Sequence, residues 1–236
     1  MSKKLRAVVV LIALAAAFSV PGPTAPLDQE KRTCTGDPDV DWNAQIKSCT
    51  ALIASREESA RNRAVAYVNR ANAYQGEDDL DRAIADYDEA IRLDPKYALA
   101  YNNRSAAYND KGDHDRAVAD AAKAIELDPK LPLAFVSRGN SYFAKDDYDL
   151  AIADFNEAIR LDPRYALAYN NRGGAYHAKG DLDRAIADYS EAIRLDPKQA
   201  RAYKNRGNAY RAKGDLDRAK ADYEAANRLK PPETTP

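Results

Sequence analysis

The sequence predicts an all-α fold made of tandem helix hairpins, and three observations predict it. Pro95, Pro129, Pro163, Pro197 and Pro231 stand 34 residues apart, four of them in Leu-Asp-Pro. Ala83, Ala117, Ala151, Ala185 and Ala219 keep the same step. Within each interval, two stretches with helical spacing flank a Gly-Asp or Asp-Asp break such as Gly180-Asp181. Self-similarity at such an interval marks units that cannot bury their apolar faces alone and stack to share a core. Composition agrees: the 236 residues are 45% hydrophobic, and 15 Tyr beside four Phe, one Trp and one Met indicate one aromatic reused in a recurring position.

The leading residues read as a targeting segment. Lys3, Lys4 and Arg6 precede an apolar run from Ala7 to Phe18, with small residues at Ala15, Ala16 and Ala17 before the proline-studded stretch Pro21 to Pro26. This is the order of a cleaved secretory signal. The run is short of the roughly 20 residues a helix needs to cross about 30 Å of hydrocarbon. Residues 1–25 are therefore expected to be a signal peptide and Pro-rich start. The mature chain is expected to be secreted or periplasmic, with no stable membrane span after cleavage.

Residues 26–63 form the next segment. An oxidising compartment lets Cys34 and Cys49 persist as a disulfide, and bridging a loop of about 15 residues adds roughly 3 kcal/mol by restricting the unfolded chain. A buried free thiol at Cys49 is the other reading. Trp42, Ile46, Cys49 and Ile53 are spaced 4, 3 and 4, which predicts one apolar face of an amphipathic helix placed to cap the first repeat.

Five repeats follow over 64–231, beginning near Ala64, Ala98, Pro132, Ala166 and Ala200, with 232–236 left as a tail. In the fourth, Tyr169, Gly173 and Tyr176 step along the first helix, while Ala185, Tyr189 and Ala192 step along the second. Small residues let two backbones approach while aromatic rings fill the space between them. Asp181 is placed to accept from amides of the second helix's first turn, Gly180 suits a left-handed exit, and Pro197 stops continuation.

These residues resemble the tetratricopeptide repeat in length, in the order aromatic, Gly/Ala, Tyr, Ala, aromatic, Ala, Pro, and in the Gly-Asp break. The resemblance covers Ala64 to Pro231. It implies a right-handed α-solenoid whose first helices line a concave groove, and a role in binding peptides or partner proteins. Repeat two departs from the pattern: Ala121 replaces the aromatic filled elsewhere by Tyr87, Phe155, Tyr189 and Tyr223, and Ser105 replaces Gly or Ala. Looser packing is expected there.

The last unit changes chemistry where earlier second helices are apolar. Lys220 replaces Ile84, Val118, Ile152 and Ile186, and Asn227 replaces Ile91, Ile125, Ile159 and Ile193. A terminal repeat needs such a polar outer face, because nothing covers it. A homodimer joined through the end faces is the alternative use of these surfaces.

Internal copies also separate what stacking fixes from what varies. The variable stripe of the first helices carries Asn72 in repeat one, Leu99 and Asn102 in repeat two, and Leu133, Val136, Asn140 and Phe143 in repeat three. It continues with Asn170 and His177 in repeat four, then Arg201, Lys204, Asn208 and Arg211 in repeat five. The family resemblance places this stripe on the concave face, where a peptide would bind. The chemistry runs from apolar to cationic, and the amides of Asn72, Asn140 and Asn208 suit an extended backbone. The expected ligand has apolar side chains over repeats one to three and a carboxylate or acidic segment near repeat five. Some family members hold a C-terminal carboxylate in a clamp of basic and Asn residues; Asn140, Asn171 and Arg201 match it, whereas Val136 and Asn205 stand where basic residues are expected.

Other functions are excluded on composition and pattern. A net charge of -1 provides no field to hold nucleic acid. No nucleophile, acid and base assemble, so no enzyme is expected; His114 sits exposed beside a break and His177 lacks an orienting carboxylate. Recurring Asp pairs such as Asp181 with Asp183 read as first-turn caps. Two His and two Cys imply no metal, and nothing implies a cofactor. Asn103-Arg104-Ser105 spells a glycosylation sequon on a groove-side helix. The chain reads as a non-catalytic scaffold for a protein or peptide partner, with a structural spacer or self-assembling scaffold of the cell envelope as the alternative.

Overall fold

The computed structural model describes residues 26–35 and 41–229. The signal-like segment, residues 36–40, and the tail with Pro231 lie outside these described residues. The chain divides into two compact units, Met1–Leu127 and Asp128–Pro236. The described residues of both are helical throughout their regular structure.

Unit one holds α1 (Pro26–Cys34), α2 (Trp42–Ala54), α3 (Ala60–Gly76), α4 (Leu80–Leu93), α5 (Ala98–Asp110) and α6 (His114–Leu127). Two boundaries differ from expectation. α1 arises inside the segment that follows the prolines, because Pro26 stands in the first turn, where no backbone N–H is required. α3 starts four residues before Ala64 because Ser59 accepts from the amide of Asn62 and caps the extra turn. Cys34 and Cys49 are joined by a disulfide linking α1 to α2. The buried face of α2 is rotated from the expected stripe: Gln45, Cys49 and Leu52 are innermost, while Trp42, Ile46 and Ile53 flank them half-buried. Gln45 is tolerated there because its Nε2 donates to the Cys34 carbonyl at 3.2 Å. α2 packs on α3, where the Trp42 ring lies against Gly76; a Cβ at 76 would sit 2.7 Å from it.

Repeat two solves its departures together. Ser105 and Ala121 are both fully buried, and the Ser105 hydroxyl donates to the Ala117 carbonyl of α6 at 2.7 Å. That burial, and the bond from Asn103 Nδ2 to Asn72 Oδ1 at 3.1 Å, makes the sequon scaffold. His114, expected to be exposed, is half-buried with its ring Nδ1 2.7 Å from Asn109 Oδ1.

Unit two holds α7 (Pro132–Ala144), α8 (Tyr148–Leu161), α9 (Ala166–Ala178), α10 (Leu182–Leu195), α11 (Ala200–Ala212) and α12 (Leu216–Arg228). Each hairpin closes by laying an aromatic ring over a glycine. A Cβ at Gly139 would fall 2.7 Å from Phe155, one at Gly173 2.8 Å from Tyr189, and one at Gly207 2.9 Å from Tyr223. Between hairpins, α8 packs on α9 and α10 on α11, while α9 also touches α7 and α11. Asp181 and Asp215 accept from the amides of Arg184 and Arg218 at 3.1 Å, and Gly180 and Gly214 take φ near +80° (81° and 82°) at the breaks. On α12, Lys220 and Asn227 are exposed.

Every repeat in both units contains an arginine bound sideways to the aspartate sixteen residues later. The pairs are Arg70–Asp86, Arg104–Asp120, Arg138–Asp154, Arg172–Asp188 and Arg206–Asp222, each through Nε and Nη2. Four of these arginines lie beside Tyr rings, as Arg172 does at 5.5 Å from Tyr169 and 6.0 Å from Tyr176. That cradle is one recurring role behind the tyrosine excess.

Candidate functional site

Because α9 touches both α7 and α11, unit two presents side chains of three first helices along one wall. They enclose a cavity of about 300 Å³ lined by Asn140 and Phe143 of α7, Phe155 of α8, and Asn170, Asn171, Gly174, His177 and Ala178 of α9. Tyr189 of α10 and Arg201, Asn205 and Asn208 of α11 complete it.

A chain of amides fixes the walls. Asn171 Nδ2 donates to Asn140 Oδ1 at 2.9 Å, Asn170 Nδ2 to Asn171 Oδ1 at 3.2 Å, and Asn205 Nδ2 to Asn170 Oδ1 at 3.0 Å. Asn208 Oδ1 accepts from the Tyr223 hydroxyl at 2.9 Å. Two polar groups stay outside the chain. Tyr189 is 3% exposed and its hydroxyl has no protein partner among the described residues, and His177 Nε2 is buried with none. Burial holds the Tyr189 phenol well above its usual pKa, Asp188 adds to this, and Arg201 offsets part of it. Tyr189 is therefore a neutral hydroxyl at physiological pH.

Of the residues read from sequence in this unit, the cavity brings together Asn140, Phe143, Asn170, His177, Arg201 and Asn208. Leu133 is half-buried and Lys204 and Arg211 are exposed, all three outside the cavity lining. Val136 requires a correction. It is 1% exposed and belongs to the seam. In unit one, Asn102 is likewise 2% exposed, as is Asn170 in unit two. The same stripe position is buried at Val68, and only Lys204, in the last repeat, is open. Asn205 of the following first helix donates to Asn170, whereas Lys204 has no following first helix among the described residues.

The asparagines also differ from the sequence reading. Asn72 Oδ1 accepts from the Tyr87 hydroxyl at 2.6 Å and from Asn103, and the Oδ1 atoms of Asn140 and Asn208 are engaged as above. Their acceptors belong to the scaffold, and what remains for a ligand is the Nδ2 donor. Asn171 links repeats, which removes it as a finger of a clamp. Leu99 is half-buried in unit one. Sequence reading missed Tyr189 as a site residue because it fills the aromatic slot of the hairpin. The signal was present across copies: Asn72, Ala106, Asn140, Gly174 and Asn208 occupy one register, and only at Gly174 does a second-helix tyrosine face no amide.

Among the described residues no cluster of three or more His, Cys, Asp or Glu is arranged to hold a metal, and no helix is long and apolar enough to cross a membrane. Fold and cavity together define a helical-repeat scaffold whose inner wall offers polar groups.

Profiles of the TPR repeat match residues 139–180 and 173–214, and tetratricopeptide repeat profiles match 64–97, 86–119 and 200–232. The chain belongs to the tetratricopeptide repeat family. No curated protein matches it. Among solved structures, MamA is 30% identical, with 67% of this chain and 93% of that chain covered and a TM-score of 0.57. YrrB, described as a TPR protein with an unusual peptide-binding site, is 26% identical, with 80% and 95% covered and a TM-score of 0.54. A tetratricopeptide repeat protein from Parabacteroides merdae ATCC 43184 is similar in fold, at 21% identity, 89% and 82% coverage and a TM-score of 0.71.

Proposed function

We propose that the chain is an exported, non-catalytic scaffold that binds an extended segment of a partner protein along the first-helix wall of unit two. One observation carries this reading: a single cavity joins an exposed aromatic, Phe143, an exposed cation, Arg201, and the amides of Asn140 and Asn208, whose donors the scaffold leaves unspent. An extended peptide supplies what such a wall lacks, namely apolar side chains, backbone carbonyl acceptors and an acidic group. The likeness to YrrB, whose description includes a peptide-binding site, supports the reading. In it, an apolar side chain lies over Phe143 and an acidic residue lies toward Arg201 and Lys204. The exposed Lys220 and Asn227 disfavour growth by stacking on α12.

Capture from the exported fraction tests this, comparing the parent protein with a variant carrying Asn140→Ala, Phe143→Ala and Arg201→Ala. The triple variant is expected to lose a specific partner while keeping its helical signal. Arg201→Glu with Lys204→Glu should abolish binding of an acidic segment. Retention of every partner by both variants would sink the reading.

A further inference from the structure

Gly174 opens the cavity by leaving a tyrosine without its amide. In repeats one and five the second-helix tyrosine donates to an asparagine, Tyr87 to Asn72 at 2.6 Å and Tyr223 to Asn208 at 2.9 Å. In repeat three the asparagine is present as Asn140, but the aromatic is Phe155 and has no hydroxyl. Repeat four alone pairs a tyrosine with glycine, and a Cβ at Gly174 would meet nothing nearer than the Tyr189 hydroxyl at 3.9 Å. The space an asparagine side chain fills elsewhere is open here, with the Tyr189 hydroxyl at its edge.

What the cavity lacks follows from counting its polar atoms. The amide chain engages one hydrogen and one lone pair of Asn170, one hydrogen of Asn205, and one lone pair each of Asn140 and Asn208. Wholly unengaged are the Nδ2 donors of Asn140 and Asn208, the Tyr189 hydroxyl, the Asn205 oxygen, and His177 Nε2, which takes either role according to tautomer. Arg201 is the only charged residue in the lining, and it is exposed. The interior is thus neutral and holds both donors and acceptors.

Three kinds of side chain can be weighed against that inventory. An alkyl chain would leave the buried His177 Nε2 without a partner, and an unmade buried hydrogen bond costs about 1–3 kcal/mol. A carboxylate would give up part of its hydration with only the exposed Arg201 to compensate, and would face the Asn205 oxygen with no proton to offer. A primary carboxamide carries an acceptor and two donors in one plane, is neutral, and satisfies both sets. A volume of about 300 Å³ has room for such a side chain together with part of the backbone that carries it.

We propose that this cavity is a side-chain pocket that takes a glutamine or asparagine carboxamide of the partner into the space beside Gly174, with the Tyr189 hydroxyl and the Asn140 amide on its oxygen and Asn205 and His177 on its nitrogen. The proposal rests on the partner-segment reading above. It separates two roles along the wall: Arg201 reads charge at the rim, and the Gly174 pocket reads an uncharged amide.

Two substitutions borrowed from sister repeats test it with the fold preserved. Gly174→Asn recreates the Asn–Tyr pair of repeats one and five and fills the pocket; Tyr189→Phe recreates the Phe155 position of repeat three and removes the hydroxyl. Propionamide and propionate, titrated separately into the full chain and followed by the side-chain amide signals of Asn140, Asn205 and Asn208, probe the pocket alone. Propionamide is expected to shift these signals saturably in the parent and about tenfold more weakly in both variants, with propionate weaker than propionamide throughout. Peptides with fixed Leu and Glu flanks and a central Gln, Asn, Glu or Leu probe the partner context. Gln or Asn is expected to exceed Glu and Leu about tenfold in the parent, falling to parity in Gly174→Asn. Preference for propionate or central Glu at any pH, or an undiminished amide preference in Gly174→Asn, overturns the pocket. Saturable propionamide with no peptide binding would fail the partner-segment reading and leave the pocket standing. Peptide binding indifferent to the central residue would do the reverse.

Discussion

Arg172 and Asp188 lie across one hairpin and meet through two parallel hydrogen bonds of 2.8 and 2.7 Å. The same guanidinium donates through Nη1 to Asn156 Oδ1 on the preceding second helix at 2.6 Å. One side chain therefore holds a hairpin shut and ties it to its neighbour. The hydrogen bond to Asp188 holds the Arg172 guanidinium even further above its usual pKa, against the effect of burial. Arg172→Ala leaves Asp188, which is 6% exposed, without a counter-charge, and a loss of about 3 kcal/mol is expected by chemical denaturation. Arg172→Lys should recover only part of it, since an ammonium cannot make the paired contact.

Gly139 and Gly174 are both helical glycines with opposite expectations. Alanine at 139 drives a methyl to 2.7 Å from the Phe155 ring, a buried group with nowhere to go, and is expected to cost about 1–3 kcal/mol. Alanine at 174 enters open space and removes glycine's helix penalty, so stability should stay level or rise by up to about 1 kcal/mol. Paired thermal melts of the two variants decide the matter.

Cys34 is 1% exposed and Cys49 fully buried, so their disulfide is shielded as well as covalent. Cys49→Ser should lower the stability of unit one by about 3 kcal/mol. A thiol reductant is expected to act on the native chain far more slowly than on the denatured chain. Mass analysis after alkylation reads both rates.

Acid should loosen α1 from the segment before α3. Glu58 accepts from Lys31 Nζ at 2.8 Å and from Asn62 Nδ2 at 2.7 Å. The Lys31 contact is the main reason its carboxyl is held below the usual range; burial opposes this, and Asn62 assists. A carboxylate with a depressed folded value contributes stability that is present above its unfolded value of about 4.3 and lost as pH falls through the folded one. Amide exchange in α1 is expected to accelerate across that window, and Glu58→Gln should remove this part of the pH dependence.

The repeat and its breaks were legible because each rests on local rules repeated five times, and the polar end because Lys220 and Asn227 depart from four apolar counterparts. Gly180 has to turn left-handed, and Asp181 caps its helix whatever lies beyond it. The binding wall was legible only in part. Variation among copies marks freedom from the hairpin seam, and Val136 varies freely with Asn102, Asn170 and Lys204 although its neighbours bury it. Contacts between repeats obey shape and leave no fixed letter. Gln45 escaped the apolar stripe for a related reason: its partner is a backbone carbonyl, which no residue type reveals. Tyr189 and Gly174 could be seen only as a pair, since each alone fits its slot.

The hydrophilic outside of α12 gives the molecule a direction in which it can lengthen during evolution. Ile186 packs into the core of its own hairpin neighbourhood, so a duplicated copy inserted upstream would find a matching apolar surface. A copy appended beyond α12 would instead press its apolar side onto the Lys220 ammonium and the Asn227 amide. Copying an inner unit is the way of lengthening the array that these surfaces favour.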